Sequence, residues 1–297
     1  MNYSLRKQRT IGRPICVSGF GYWSGRDVSV EFCPAPAGTG VVFVRTDLPS
    51  PVRIAAKVAN RIETPRRTTL AAGGATVEMI EHILAALAGM QIDNCEVRVD
   101  RPEMPGCDGS SFPFVEALQQ AGIVEQAATR TTLVVTEVTR VGNEEAWVEA
   151  RPHQKPGLSV AYRLDYGKES PIGRQAIQVD LSAESFCREL APARTFILQS
   201  EADWLRNLGL GSRVTCHDLL VFDEHGPVDN PLRYEDECVR HKTLDLVGDL
   251  SLAGCDLVGQ FTAYRSGHRL NADLVRVLLT EGLRIEGQPI QGRKKSA

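Results

Sequence analysis

The sequence predicts an α+β protein built from two similar halves, and three observations carry that expectation. Each half opens with short alternating strands separated by Gly- and Pro-rich turns and closes with helical patterns. The 297 residues suffice for one large domain or two of ordinary size. The segment Val124 to Arg130 loses its apolar period and reads as a linker, which divides the chain into 1–127 and 128–297. No internal repeat is strong enough to establish duplication, but the shared order suggests two like domains facing each other.

In the first half, Ile15 to Phe20, Val28 to Phe32 and Gly40 to Arg45 read as strands, with Pro34-Ala35-Pro36-Ala37-Gly38 as a loop. A helix is expected over about 78–90, where Ile80, Ile83, Leu84, Leu87 and Ala88 form an apolar stripe. Cys95 to Asp100 alternates as a half-buried strand does, and Phe112 to Gln120 reads as a second helix. In the second half, Thr132 to Val138, Trp147 to Ala150, Leu158 to Leu164 and Ala176 to Leu181 are expected strands. Helical patterns follow over Ser185 to Leu190, Glu201 to Leu208 and about 236–252. A strand over Leu257 to Tyr264 leads to a last helix starting near Ala272, with Asn271 as its N-cap.

The 236–252 helix carries the most informative pattern. His241, Asp245 and Asp249 are successive steps of four and project from one side. Imidazole and carboxylate are ligands that a borderline cation such as zinc accepts. By spacing alone Asp249 is as good a third ligand as any, and a solvated His/Asp helix face would present the same pattern. Gly248 clears space beside that face. Of the six histidines, two more sit in suggestive places: His82 after Glu81 on the apolar helix, and His268 after Gly267 on a strand-to-helix loop. His153, His217 and His225 lie among polar or turn residues and read as surface positions.

Composition excludes several classes. A net charge of -3 leaves no basic excess for phosphate backbones, so nucleic acid is not an expected partner. The one basic cluster, Arg293-Lys294-Lys295, reads as a short disordered terminus. Eight cysteines with no CxxC pair fit a reducing cytoplasm. No stretch approaches the roughly twenty apolar residues of a membrane span. The first thirteen residues are basic and lack acids, but Arg9-Thr10-Ile11 runs straight into a strand pattern, so the fold is expected to begin there. There is no GxxxxGK[ST] segment for phosphoryl transfer.

Several long blocks, in order, closely resemble the LpxC family of zinc-dependent UDP-3-O-acyl-N-acetylglucosamine deacetylases of lipid A biosynthesis. They include Lys7-Gln8-Arg9-Thr10, Pro34 to Val41, Glu81-His82-Ile83-Leu84-Ala85-Ala86-Leu87-Ala88-Gly89, Ile92-Asp93-Asn94 and Asp108-Gly109-Ser110. Later blocks are Ala193-Arg194-Thr195-Phe196, Leu232-Arg233-Tyr234-Glu235, the 236–252 helix, and Phe261 to Tyr264 through Ser266-Gly267-His268.

The resemblance implies a pair of β-α-α-β domains in layered sandwiches, each with a small insert, the second forming a fatty-acyl passage at about 160–178. It implies one catalytic Zn2+ held by His82, His241 and Asp245, leaving a coordination position open. Glu81 becomes the general base and His268 the charged group that stabilises the oxyanion and protonates the leaving amine. Asp249 becomes the carboxylate that keeps His268 charged. Thr195 and Lys242 assist the developing charge, and Phe196 and Gly267 contact substrate. The implied partner is an acylated UDP-sugar, taken by a cytoplasmic monomer that has no integral membrane segment and at most touches the membrane surface transiently.

Some positions depart from the family pattern. Gly21-Tyr22-Trp23-Ser24-Gly25 carries Trp23 where the family has His, Glu78-Met79-Ile80 precedes Glu81, Ile197-Leu198 follows Phe196, and the loop before Leu232 is shorter. These changes leave two alternatives in view: zinc amidohydrolysis of another N-acetylated sugar conjugate, and a non-catalytic binder of lipid-linked sugar nucleotides. Glu81 argues against the latter, since binding alone needs no base beside a metal ligand.

Overall fold

Alternation of buried and exposed positions along Asp27–Pro34 and Cys95–Val99 gives the first half a sheet with one apolar face. A computed structural model describes residues 5–286, so the basic tail Arg293-Lys294-Lys295 lies outside the described residues. The first sheet runs Ile15–Phe20, Asp27–Pro34, Cys95–Val99, Val41–Arg45, Val52–Ala55. Its central strand, Cys95–Val99, is antiparallel to Asp27–Pro34 and parallel to Val41–Arg45. The second sheet repeats this arrangement. Asp256–Tyr264 is antiparallel to Trp147–Arg151 and parallel to Leu158–Asp165, with Thr139–Gly142 and Arg174–Asp180 completing the two hairpins. In both halves two hairpins form first in the sequence, and a strand that arrives late joins them.

Among the described residues six α-helices fill the connections: α1 (Glu81–Gly89), α2 (Phe112–Ala121), the single turn α3 (Ala183–Ser185), α4 (Gln199–Asn207), α5 (Glu237–Leu250) and α6 (His268–Glu281). α1 and α5 each precede the central strand of their sheet, and α2 and α6 each follow it. α1 packs directly on α5. That contact explains why α1 is apolar nearly all round: of its residues only Ala88 is not buried. Ile83, Leu84 and Leu87 are at most 1% exposed, each burial contributing roughly 1.5–3 kcal/mol. α2 starts with Pro in its first turn and ends at Gly122, whose φ of +74° suits a residue without Cβ.

Two units have no counterpart in the shared plan, and both fall between the second hairpin and the helix. One is the three-stranded sheet Arg61–Ile62, Thr69–Ala72, Ala75–Glu78. The other is a β-α-β unit in which Phe196–Leu198 pairs in parallel with Leu220–Phe222 across α4. The segment 160–178, expected to be the second insert, is instead the second hairpin of the sheet. Strand periodicity is the same in an insert and in a sheet, so the sequence could not separate them.

Three other expectations change. The segment read as a linker forms the strand Ile123–Thr129, antiparallel to Lys7–Ile11. Its apolar signal is weak because this ribbon is largely exposed. The helix expected from 78 starts at Glu81, because Ala75–Glu78 pairs as a strand and Met79 turns the chain at a φ of +57°. The last helix starts at His268 rather than Ala272, with Gly267 as its cap, so Asn271 lies inside it.

Ion pairs tie the halves together beside this ribbon. Arg6 reaches Asp93 and Asp256, each at 2.7 Å, and Arg130 reaches Asp93 at 3.0 Å. Among the described residues no helix is long and apolar enough to cross a membrane.

The tightest approach of the two central helices is at Gly248. A Cβ there would lie 2.3 Å from the Glu81 carbonyl oxygen and 3.3 Å from the Ala85 nitrogen, both backbone atoms that cannot swing away. Gly248→Ala should therefore destabilise the protein by roughly 1–3 kcal/mol, as overpacking does, read as a lower urea midpoint. Gly267→Ala, where a Cβ meets nothing within 4 Å, should leave the midpoint nearly unchanged.

Candidate active site

Because α1 and α5 touch at Gly248, in the last turn of α5, the first turns of α1 lie along the C-terminal half of α5. His82 thus meets His241 and Asp245, which lie one turn apart. One ligating atom from each of His82, His241 and Asp245 falls within 4.8 Å of the others, and all three residues are buried. The imidazole Nε2 atoms of His82 and His241 lie 3.7 and 3.4 Å from Asp245 Oδ1. That oxygen is buried without a hydrogen-bond partner, while Oδ2 accepts from Lys242 Nζ at 2.7 Å. An orphaned carboxylate oxygen between two imidazole nitrogens fits a divalent cation.

The protonation states agree with that use. His241 Nδ1 sits 3.1 Å from the Ala193 carbonyl, which can only accept, so Nδ1 carries the proton and Nε2 keeps its lone pair. Burial, and then the neighbouring His241 ring, press the His82 pKa down to about 3. Burial lowers that of His241 as well. Burial works against an Asp245 carboxylate, but Lys242 and the nearby imidazoles outweigh it and hold the group ionised. Lys242 is likewise held charged by Asp245 against its own burial.

Beside the three ligand atoms lie a carboxylate and an imidazole at helix starts. Glu81 opens α1, and burial pushes its carboxyl up to about 7, with the His268 charge opposing the shift. Glu81 Oε2 accepts from the Thr68 amide at 3.0 Å, and Oε1 lies 4.0 Å from His268 Nε2. His268 opens α6, and its Nδ1 is 2.8 Å from Asp249 Oδ2. Burial alone would discharge this ring. Asp249 outweighs burial through charge and hydrogen bond, and the pKa rises to about 9. Asp249 is fully buried and its oxygens are already used: Oδ1 accepts from Thr68 Oγ1 at 2.6 Å, and Oδ2 accepts from Asn271 Nδ2 at 2.8 Å. Of the three acidic and imidazole positions on that face, His241 and Asp245 lie in the cluster with His82, and Asp249 does not.

A cavity of about 1260 Å³ opens over these groups. Glu81, His82, Thr195, Phe196, His241, Lys242, Asp245, Gly267 and His268 line it, whereas Asp249 stands behind His268. His153, His217 and His225 lie elsewhere. Phe196 meets the His241, Tyr166 and Phe222 rings edge-on. Much of the apolar wall comes from the β-α-β unit and its loop, through Ile197, Ala202, Leu205, Leu210, Leu219 and Val221. The hairpin 158–180 adds Tyr162, Leu164 and Tyr166.

Several groups that hold this site give no sequence signal. Arg194 is buried and pairs with the fully buried Glu237 of α5, Nε to Oε1 at 2.8 Å, which fixes the start of Thr195-Phe196. The same carboxylate accepts from the Arg194 amide at 3.0 Å and the Arg233 amide at 2.6 Å. Two departures from the family pattern, Trp23 and Glu78, meet on one residue. The Arg67 guanidinium lies 4.5 Å from the Trp23 ring centre and donates to Glu78 at 2.6 Å.

An α+β fold of two like halves, with three clustered side chains able to hold a metal ion in the lining of a large cavity, is that of a metalloenzyme. The chain belongs to the LpxC family, described as UDP-3-O-acyl N-acetylglycosamine deacetylase, whose sequence pattern matches residues 8–280. It is 43% identical over 280 residues to the UDP-3-O-acyl-N-acetylglucosamine deacetylase of Shewanella sp. (strain W3-18-1), covering 92% of this chain and 90% of the relative. Proteins of the same name from Shewanella sp. (strain ANA-3) and Shewanella baltica (strain OS155 / ATCC BAA-1091) are 42% identical over the same shares.

The raised His268 pKa carries a sign. The stability it contributes is fully present below the ordinary imidazole value of 6.5 and is lost as pH rises through about 9. In metal-free protein, Asp249→Asn should lower the His268 pKa well below about 9, because burial is then opposed only by the charges of Glu81 and Asp245. Histidine NMR titration reads it directly. A His268 pKa still near 9 in the Asn variant would break the assignment.

Proposed function

We propose that this chain is a zinc-dependent hydrolase that removes the N-acetyl group from UDP-3-O-[(3R)-3-hydroxyacyl]-N-acetylglucosamine, giving acetate and the free amine of the lipid A pathway. The observation that carries it is the cluster His82, His241, Asp245 beside Glu81 and His268, in a chain 43% identical to deacetylases of that name. When bound, the zinc ion would supply Lewis acidity to a water and to the amide carbonyl. The two halves each contribute part of the ligand set.

The chain's own residues do the proton work. Glu81, its pKa near neutrality, takes the proton of the attacking water at Oε1, the oxygen left free by the Thr68 amide. His268 enters the reaction charged and gives its Nε2 proton to the leaving nitrogen, while Asp249 holds Nδ1. Thr195 and Lys242, both on the cavity wall, stabilise the developing oxyanion by hydrogen bond and charge. Phe196 and Gly267 face substrate. The acyl chain runs along the apolar wall between α4 and the 158–180 hairpin, gaining about 0.8 kcal/mol per buried methylene.

We read the protein as a cytoplasmic monomer. All eight cysteines are free and the whole ligand set comes from one chain. Trp204 and Leu208, 54% and 57% exposed at the α4 end, give an apolar rim suited to transient contact with a membrane surface. A second reading, another N-acetylated sugar conjugate, is favoured by Trp23 on the cavity wall. Acetate release from the UDP-sugar compared with simpler N-acetylated sugars decides between them.

His82→Ala with His241→Ala should abolish stoichiometric zinc in soluble protein, measured by elemental analysis, and full occupancy would refute the ligand set. Glu81→Gln should keep the metal while turnover falls by at least about a hundredfold, the range of lost general base catalysis. Near-native turnover would remove Glu81 from its role. Leu205→Trp should shorten the preferred acyl chain, seen as a shift of the best substrate in a chain-length series, because the indole fills the apolar wall.

A further inference from the structure

Thr68 lies 13 residues before the proposed base and 181 before the acid's partner, yet it is bonded to both. Its amide donates to Glu81 Oε2 at 3.0 Å, and its hydroxyl donates to Asp249 Oδ1 at 2.6 Å. It is fully buried, so neither bond competes with water. With Glu81 Oε2 taken by an amide, Oε1 is the oxygen presented toward His268. With Asp249 Oδ1 taken by a hydroxyl, Oδ2 is the oxygen left for His268 and Asn271.

The segment before Thr68 is clamped on both sides. Arg66, at a φ of +62°, reaches Glu201 of α4 at 2.8 Å and stands over Trp204. Arg67 is held between Trp23 and Glu78. The next residue is Thr68, followed by the strand Thr69–Ala72. The buried hydroxyl and amide of Thr68, each with one partner, define one side-chain and one backbone direction.

We propose that Thr68 is a positioning residue that sets the two proton-transfer groups in register across the seam between the halves. One residue of the first insert thereby orients the base on α1 and, through Asp249 of α5, the acid on α6. This rests on the deacetylase reading for its consequence in turnover and on geometry alone for its structural content.

Thr68→Val preserves shape and the amide but removes the hydroxyl donor, and Thr68→Ser preserves both donors. The Val variant should lose roughly tenfold or more in kcat, the scale of a lost hydrogen bond to a buried charge. Its KM should stay within about twofold, with zinc content unchanged, and Ser should restore most of the rate. Should Val yield no soluble protein, Thr68→Cys, with a weak S–H donor and similar size, carries the comparison. Val turnover within twofold of the parent, or Ser as impaired as Val, would overturn the proposal. A second readout needs no substrate. In 15N-histidine-labelled zinc-loaded protein the downfield Nδ1–H proton of His268 reports its bond to Asp249. It should shift or broaden in Val and return in Ser, and an unchanged signal in Val also overturns the proposal. A parent protein that releases no acetate would sink the functional reading and leave this spectroscopic test in force.

Discussion

The contact between α1 and α5 at Gly248 governs most of what surrounds it. Two helices whose backbones approach this closely have no room for a side chain between them, so the first turn of α1 lies against the C-terminal part of α5. That placement turns His82 toward His241 and Asp245. It also buries Glu81 and Asp249, and burial makes their surroundings decisive. The interior is dense and apolar here, with Ile83, Leu84, Leu244 and Val247 at most 2% exposed, so each polar group has only the partners the packing supplies.

Three carboxylates on two helices take three different states as a result. Asp245 keeps one oxygen without a partner and is held ionised by Lys242. Asp249 has every useful direction filled by Thr68, Asn271 and His268. Glu81 is half-satisfied, with one oxygen on an amide and one facing the cavity, and burial brings its pKa near neutrality. Chemically these are the same group. Environment alone separates a carboxylate with an unpartnered oxygen, one that is fully bonded and one whose pKa is near neutrality.

The α+β class was legible in the sequence together with the 241/245/249 face, because strand alternation and helical spacing are both local patterns. The family resemblance supplied roles that spacing could not, such as that of Thr195. What stayed hidden depends on contacts far apart in the chain. The Thr68 bonds, the Arg194–Glu237 pair and the Trp23–Arg67–Glu78 stack join segments with no shared period. The segment Val124 to Arg130 reads as a linker because the ribbon it joins is largely exposed on both faces, so its residues carry no alternation. Asn271 was read as a helix cap because Asn favours caps, and a tertiary partner, Asp249, took its side chain inside the helix instead.

Both sheets follow one strand order, and α1 and α5 hold equivalent places in it. A molecule with that internal pseudo-symmetry would, if the halves were truly alike, offer each group twice. It does not. α1 contributes from its first turn and α5 from its middle, while α6 supplies His268 at its start and α2 supplies nothing to the cavity. The clustered side chains therefore sit where the symmetry is broken, and neither half on its own contains all three of His82, His241 and Asp245. A lesion in one half has no equivalent residue in the other to stand in for it, so the repeated architecture confers no redundancy.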